Sequence, residues 1–405
     1  MNAPVKASVR FLQAMAWYPW LVAVLCMLLV ATSNGMINAG ITVFDEALLD
    51  EFGWSLSQLK TRDSITFLGA SLLVLVAGWA VDRWGFKPLL LLGMALLALA
   101  YWSYGYADRL GHLYLLHGVF ALVAASAGNM TNIVAAATWM SHRRGLAVGM
   151  TIAGTSLGGM LLPPLANALN SSLGWRMALR VEALLPAVMF LLVLVLLGNR
   201  HRGSPARAGG EDERSGVTFA EALRRPQFHL IACAGAFTYF AILALFSHLF
   251  LYMRSLSYSP ETASYALSSL ALAGLCGKLA SGWLADRVDP FRFFKLQMLL
   301  MLAGLAGVSQ LPAWVFPCLL LTGVGWGGLH TLYNFMLLHL FGLRDAGKIN
   351  GAVSVFEAAG GAAGIYATGL AHDAWGGYGS AWLLVVTVMA MGTVLAMLLR
   401  PVKAR

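Results

Sequence analysis

"GWAVDRWGFKP" fills residues 78–88, and "GWLADRVDPFR" fills residues 282–292. Both read Gly-Trp-x-x-Asp-Arg, and 204 residues separate them in a chain of 405. A charged cassette repeated at half the chain length marks two related halves. What flanks it decides the fold. On either side of each copy lie apolar runs of about twenty residues, the length an α-helix needs to cross a hydrocarbon core of about 30 Å.

The composition agrees with those runs. Hydrophobic residues make up 59% of the chain and charged residues 11%, whereas a soluble domain is about 25% charged. So few charges cannot cover a globule of this size, and lipid is the solvent for most of the molecule. Twelve spans are expected, near 17–40, 62–82, 88–107, 111–139, 146–170, 176–198, 227–253, 262–284, 292–310, 314–341, 348–370 and 379–399. Each must be a helix, because lipid leaves no partner for an open backbone. Barrel strands would alternate apolar and polar residues over about ten positions, and these runs do not. The first run is too long for the apolar core of a signal peptide and reads as an uncleaved helix.

The net charge of +9 does not point to nucleic acid, because the cations sit in short clusters between apolar runs. Of the 27 Lys and Arg, Lys60, Arg62, Arg109, Arg176, Arg180 and Arg254 fall in one set of loops. Lys278 falls inside a span, and all the others fall in the opposite set or at the termini. That bias places both termini in the cytoplasm. Cys26, Cys233, Cys276 and Cys318 lie in apolar runs without metal-ligand spacing and read as packing residues. The longest polar stretch, "GNRHRGSPARAGGEDERSGVTFAEALRRP" (198–226), is rich in Gly and in charge of both signs and reads as a flexible linker. The expected organisation is a six-helix bundle over 1–198, a cytoplasmic linker over 199–226 and a second six-helix bundle over 227–405.

A second echo supports the repeat. "GMTIAGTSLGG" (149–159) matches "GAVSVFEAAGG" (351–361) at an offset of 202, with Gly149 on Gly351 and Gly158-Gly159 on Gly360-Gly361. Parallel repeats of this kind are related by an axis along the membrane normal.

With these residues in view, the chain resembles the major facilitator superfamily over nearly its whole length. That family's loop motif is roughly Gly-x-Leu-x-Asp-Arg-x-Gly-Arg-Lys. The chain supplies Gly78, Asp82, Arg83, Gly85 and Lys87, with Ala80 and Phe86 departing from it. "LLDEFGWSLSQL" (48–59), "RRGLAVGMTIAGTSLGGMLLPPLANAL" (143–169) and "GWRMAL" (174–179) resemble the branch holding monocarboxylate transporters and oxalate–formate antiporters. The resemblance implies an all-α integral membrane protein: twelve helices in two pseudo-symmetric bundles, the major facilitator fold.

The cassette has a physical reading of its own. Gly78 and Gly282 lack side chains and allow neighbouring helices to approach. Asp82 and Asp286 end helices, where a carboxylate can accept backbone N–H groups at the positive N-terminus of a facing helix. The resemblance makes that helix the eleventh for Asp82 and the fifth for Asp286. Arg83, Lys87, Arg143, Arg144 and Arg287 complete a charge network. Together with Gly85 these residues are expected to form a cytoplasmic gate that breaks when the halves rock. The plainer alternative is that Asp-Arg pairs merely end helices.

Ionisable residues deep in a span are costly and usually face a cavity. Lys278 stands eight residues before Asp286, roughly 12 Å inside. Glu357 stands nine after Lys348, roughly 13 Å inside. Lys278 is expected to anchor an anionic substrate, since the family's substrate-binding arginine in the eighth helix has the same spacing to a following glycine. Lysine is a point charge where arginine is a fork. Glu357 is expected to carry a proton, released when an anion competes for Lys278. The alternative for both is a structural ion pair with each other. In the monocarboxylate branch an Asp one turn before the helix-eight cation shares this work; Gly274 holds that place here. The branch's first-helix Lys is also missing, and Asn34 and Asn38 stand in its region as neutral candidates.

Asn34, Asn129, Tyr239, Tyr333 and Asn334 are candidate polar contacts to substrate. Glu182 is expected to pair with Arg180 or Arg176, and Asp63 to complement a helix dipole at the start of the second span. His117, His248 and His330 read as hydrogen-bonded filling.

The function expected is secondary active transport by alternating access. The substrate expected is a small organic anion, a monocarboxylate, moved with protons across the cytoplasmic membrane by a monomer embedded in the lipid bilayer. An exporter of an amphipathic metabolite, siderophore or drug on the same fold is the alternative. A non-transporting sensor would need an appended domain. Neither cofactor, metal nor nucleic acid is implied, and an enzyme is not expected: no nucleotide loop or nucleophile–base pair stands out.

Overall fold

Each apolar run closes its hydrogen bonds within itself, as lipid requires. The structure is a computed structural model. It describes residues 15–140, 143–198, 216–284, 287–342 and 344–399, less the side chains of Leu75 and Asn334. The helices are α1 (Tyr18–Asn34), α2 (Asp45–Phe52), α3 (Leu56–Trp84), α4 (Phe86–Tyr104), α5 (Leu110–Ala127), α6 (Asn129–Trp139), α7 (Arg144–Leu173), α8 (Trp175–Glu182) and α9 (Leu184–Leu196). They continue with α10 (Phe219–Leu223), α11 (Pro226–Ser255), α12 (Pro260–Leu284), α13 (Pro290–Gln310), α14 (Val315–Phe341), α15 (Ala346–Trp375) and α16 (Tyr378–Met397).

All twelve expected runs are helical. Ten spans are long and apolar enough to cross a membrane by length and composition, and the bent helix α3 makes an eleventh, with 49° between Leu56–Val74 and Val76–Trp84. Helix α15 is long enough but less apolar, because Gly and Ala fill it and Asn350 and Glu357 interrupt it.

The chain divides into two compact units: Met1–Trp54 with Ile65–Pro205, and Ser55–Ser64 with Ala206–Arg405. In the first, α7 packs on α1 at glycine. A Cβ on Gly154 would fall on the Met27 carbonyl oxygen, and one on Gly158 on that of Ala31. In the second, α15 packs on α11 the same way: Gly360 faces the Ala236 carbonyl and Gly364 that of Phe240. Gly158 and Gly360 are the matched glycines of the second sequence echo. The echo is therefore the small-residue seam of each unit, where backbones meet.

Three spans of the first unit are interrupted. The first continues to Phe52 rather than ending near 40, through a π-helical turn at Gly35–Ala39 and a 3-10 turn at Gly40–Phe44. The run expected at 111–139 breaks at Gly128, whose backbone is extended (ψ −159°). The Ser33 hydroxyl and the Asn132 amide donate to the freed Ala127 carbonyl, at 3.0 and 2.8 Å. The break between α8 and α9 follows from Pro186, which has no N–H to offer the Glu182 carbonyl four residues back.

The linker is not flexible throughout. Residues 199–215 lie outside the described part, but Gly216 bridges Gly342 and the Val217 N–H donates to the Phe341 carbonyl at 2.9 Å. Thr218 and Glu221 form a reciprocal capping box on α10. Lipid-facing apolar side chains are strongly exposed, as at Leu72, Leu115 and Leu279. On α12, the exposed aromatics Tyr265 and Trp283 lie near opposite ends, where amphipathic rings favour a membrane–water interface.

Candidate functional site

One polar site of the second unit is built by glycine. Gly323 on α14 faces the Leu270 carbonyl of α12, Gly327 faces that of Gly274, and Gly277 on α12 faces that of Val324. This interlock sets the α12 backbone against α14 and places Lys278 beside His330, which feels its charge. His330 leans on Trp326, with ring centroids 5.6 Å apart, and Trp326 meets Tyr239 of α11 edge to face at 5.1 Å. On the other side, Gly235 of α11 leaves room for Glu357 of α15. A Cβ there would stand 3.4 Å from Oε1 of Glu357 and 3.5 Å from the Tyr333 ring. The charge of Glu357 bears on both Tyr239 and Tyr333. The Tyr333 hydroxyl shares a 3.1 Å hydrogen bond with Thr238, whose own hydroxyl reaches the Ala234 carbonyl.

Lys278, Tyr239, Tyr333 and Glu357 are thus brought together on four helices of one unit. Lys278 and Glu357 do not form an ion pair, and Glu357 has no hydrogen bond or ion pair among the described residues. The structural pair weighed from sequence is absent. Both side chains are half-buried, so neither is sealed in the core. The Asn334 side chain lies outside the described part.

In the first unit, Asn34 and Asn129 lie at two of the three helix interruptions. Asn34 closes α1 just before the π turn and donates to Ser33 at 3.5 Å. Asn129 opens α6 after the Gly128 break, with its Oδ1 buried and without a hydrogen-bond partner among the described residues. Asn38 is exposed.

The cassette residues take several places. Asp82 is exposed and makes no hydrogen bond or ion pair among the described residues. Arg83 is exposed, with its guanidinium 5.7 Å from the Trp79 ring, and Arg143 stands 5.8 Å from the Trp20 ring. Arg144 opens α7 and is exposed. Arg287 stacks on Trp283 at 4.0 Å and donates to its carbonyl at 2.7 Å. Gly85 has φ +82°, a left-handed turn that lets α3 reverse into α4. Lys87 donates to the Leu194 and Leu197 carbonyls at 2.9 and 2.6 Å, capping the C-terminal end of α9. The close approach expected at Gly282 is not present, since nothing lies within 4 Å of a Cβ there; at Gly78 the neighbour is the flexible tip of Met130. Asp286 lies outside the described residues.

A charged cluster at the opposite end of the second unit was not singled out from sequence. Asp373, in the last turn of α15, accepts from the Leu56 and Ser57 N–H groups at 3.3 and 2.8 Å. This is the carboxylate-on-helix-N-terminus contact the cassette had suggested, found elsewhere. Lys60 and Arg62 are fully buried, not loop residues. Lys60 donates to the Ser247 carbonyl, and Asp63 accepts from Lys60, Arg62 and Ser247. Asp63 is therefore not a first-turn charge, because α3 starts at Leu56 rather than near 62. Glu182 pairs with neither arginine. Arg176 holds Glu51 at 2.6 Å, and Arg180 donates to the Gly105 carbonyl and lies 3.8 Å from the Tyr106 ring. His117 and His248 are hydrogen-bonded filling, to Thr66 and to the Ile365 carbonyl.

Two units of membrane-length helices, each with its own glycine seam and with polar side chains within its spans, suit a membrane transporter scaffold. Residues 23–365 match the Major Facilitator Superfamily. The chain belongs to that superfamily and is a transporter rather than an enzyme. It is similar to YhjX of Escherichia coli (strain K12), an uncharacterised MFS-type transporter, at 23% identity over 77% of this chain and 78% of that one. It is similar to monocarboxylate transporter 13 of Bos taurus at 26% identity over 77% and 73%. Among solved structures, a bacterial homologue of the human lysosomal transporter Spinster, inward-facing and occupied, shares the fold. Its TM-score is 0.78, at 16% identity over 95% of this chain and 97% of that one.

Proposed function

We propose that this transporter carries a small organic anion, a monocarboxylate, together with a proton. The observation that carries the proposal is that Glu357, half-buried within α15, has no hydrogen bond or ion pair among the described residues and is not the partner of Lys278 on α12 of the same unit. An ion in that position is costly unless it serves a substrate path. Lys278 anchors the carboxylate. Tyr239, Tyr333 and Asn334 supply neutral contacts in the same unit, and Asn34 and Asn129 are the polar candidates of the first unit. Glu357, beside two phenols, takes and releases the proton. The monocarboxylate transporter among the similar proteins supports the substrate class. The aromatic wall of Tyr239 and Trp326 favours a second reading, export of an amphipathic metabolite.

Alternating access then calls for gate residues at the cassette of each unit: Gly78, Asp82, Arg83, Gly85, Arg143 and Arg144 in the first, with Lys87 holding α9, and Gly282, Asp286 and Arg287 in the second. The charge distribution of the loops supports insertion in the cytoplasmic membrane with both termini inside, and the monomer is the working unit.

Counterflow in proteoliposomes with a panel of monocarboxylates, siderophores and dyes tests the proposal. A monocarboxylate should exchange, and Lys278→Ala should abolish exchange. Glu357→Gln should abolish pH-driven accumulation and spare exchange. Exchange of dyes alone, untouched by Lys278→Ala, would sink the anion reading in favour of export.

A further inference from the structure

Glu182 presents a chemical problem that the transport site does not solve. It closes α8, is 6% exposed, and has no hydrogen bond or ion pair among the described residues. The cations on its own helix are committed elsewhere, Arg176 to Glu51 and Arg180 to the Gly105 carbonyl. Its carboxyl instead lines a cavity of about 360 Å³ in the first unit. Met36 of the π turn, residues of α7 including Leu162 and Leu165, and Leu184, Leu185 and Val188 of α9 form the other walls. Leu165, Leu184 and Val188 are 44%, 62% and 49% exposed on the apolar outer surface, so the cavity opens toward lipid rather than water.

An ionised carboxyl left unpaired within an apolar chamber costs several kcal/mol unless it takes a proton or a cationic partner arrives. The walls are hydrocarbon and the lone polar group is acidic, so the complementary ligand has an apolar body and one cationic donor. The volume is at the low end for small-molecule pockets, which span about 300–1,000 Å³. That suits one chain or a small ring system rather than a two-chain lipid.

We propose that this cavity is a lipid-accessible binding site for a single-chain amphipathic amine, with its ammonium on Glu182 and its tail against Leu162, Leu165 and Leu185. The site adjoins Met36, whose carbonyl accepts from Tyr101 at 2.7 Å within the π turn of the first span. A ligand there bears on the element that carries Asn34 and is separate from Lys278 and Glu357.

The test uses the full chain in phosphatidylcholine nanodiscs, with dodecylamine as probe and native mass spectrometry as readout. The unmodified protein should retain one dodecylamine, and dodecanol should bind at least about tenfold more weakly, the worth of one charge-assisted hydrogen bond. Glu182→Gln should lower dodecylamine affinity by a similar factor without changing the thermal midpoint. Leu185→Trp, which fills the chamber and keeps the carboxyl, should also remove binding. Equal affinity for amine and alcohol, or binding unchanged in Glu182→Gln, would overturn the proposal. So would loss of dodecylamine when phosphatidylethanolamine replaces part of the bilayer, which would assign the chamber to a two-chain lipid.

Discussion

Gly327 decides where Lys278 stands. A Cβ there would fall on the Gly274 carbonyl and within 2.9 Å of the Lys278 backbone nitrogen, so α12 and α14 meet only because both are bare. Gly327→Val should cost about 1–3 kcal/mol, the usual range for overpacking, and should lower the thermal midpoint of the detergent-solubilised protein. Gly282→Ala, where nothing lies within 4 Å, should leave it unchanged; an equal drop in both would show that the interlock has no special weight. Lys278 and Glu357 were legible in the sequence because a charge in an apolar run stands out. The glycine ladder was not, because glycine is common in membrane helices and spacing alone does not say which partner backbone it meets. The expected partner of Glu182 failed for a geometric reason. Arg180 lies two residues away, on the opposite side of a helix with 3.6 residues per turn.

Among elements, the docked end of the linker carries a pH signature. Asp345 accepts from the Phe219 N–H at 2.8 Å and from Lys348 at 3.0 Å. The Phe219 bond, and then the Lys348 bond, hold its carboxyl below the ordinary carboxylate range. Glu221 is likewise held low, by Thr218. Lowered pKa values stabilise the docked form above the unfolded value of about 4, and that contribution disappears as pH falls through the folded value. Protection of the Val217 and Phe219 amides, measured as exchange relative to the intrinsic base-catalysed rate, should therefore be high at neutral pH and fall in acid. Asp345→Asn should show low protection at both, and protection insensitive to pH and to the substitution would refute the docking role. The sequence indicated a polar tether because its composition is that of one. It did not disclose the docking, which depends on Phe341, Gly342 and Asp345 more than a hundred residues on. The breaks at Gly35–Phe44 and Gly128 were hidden for a similar reason, since hydropathy continues unbroken across them.

For the whole molecule, the repeat was readable because two echoes share nearly one offset. The second echo has a structural cause, a glycine seam, whereas the left-handed turn and the lysine cap on α9 belong to the first cassette alone, since Asp289 and Phe291 stand at the matching places in the second. The assignment of Ser55–Ser64 to the second unit was not readable, since it rests on contacts from Asp373 and Ser247, far along the chain. If the cassettes form a gate, Asp82→Ala should raise the accessibility of cysteines introduced near Arg83 and Arg143 to water-soluble maleimides, several-fold in the resting transporter. Unchanged labelling would leave Asp82 as a mere helix end.

The two aromatic rings on α12 also act as a ruler. Tyr265 and Trp283 are separated by 18 residues, about 27 Å along a helix, slightly less than the hydrocarbon core of a typical bilayer. Rings held at the headgroup level fix the depth at which the protein floats, so a thicker membrane must thin around it. The thickness of the surrounding lipid thereby enters the working energy of this transporter, with no change to any residue that meets its cargo.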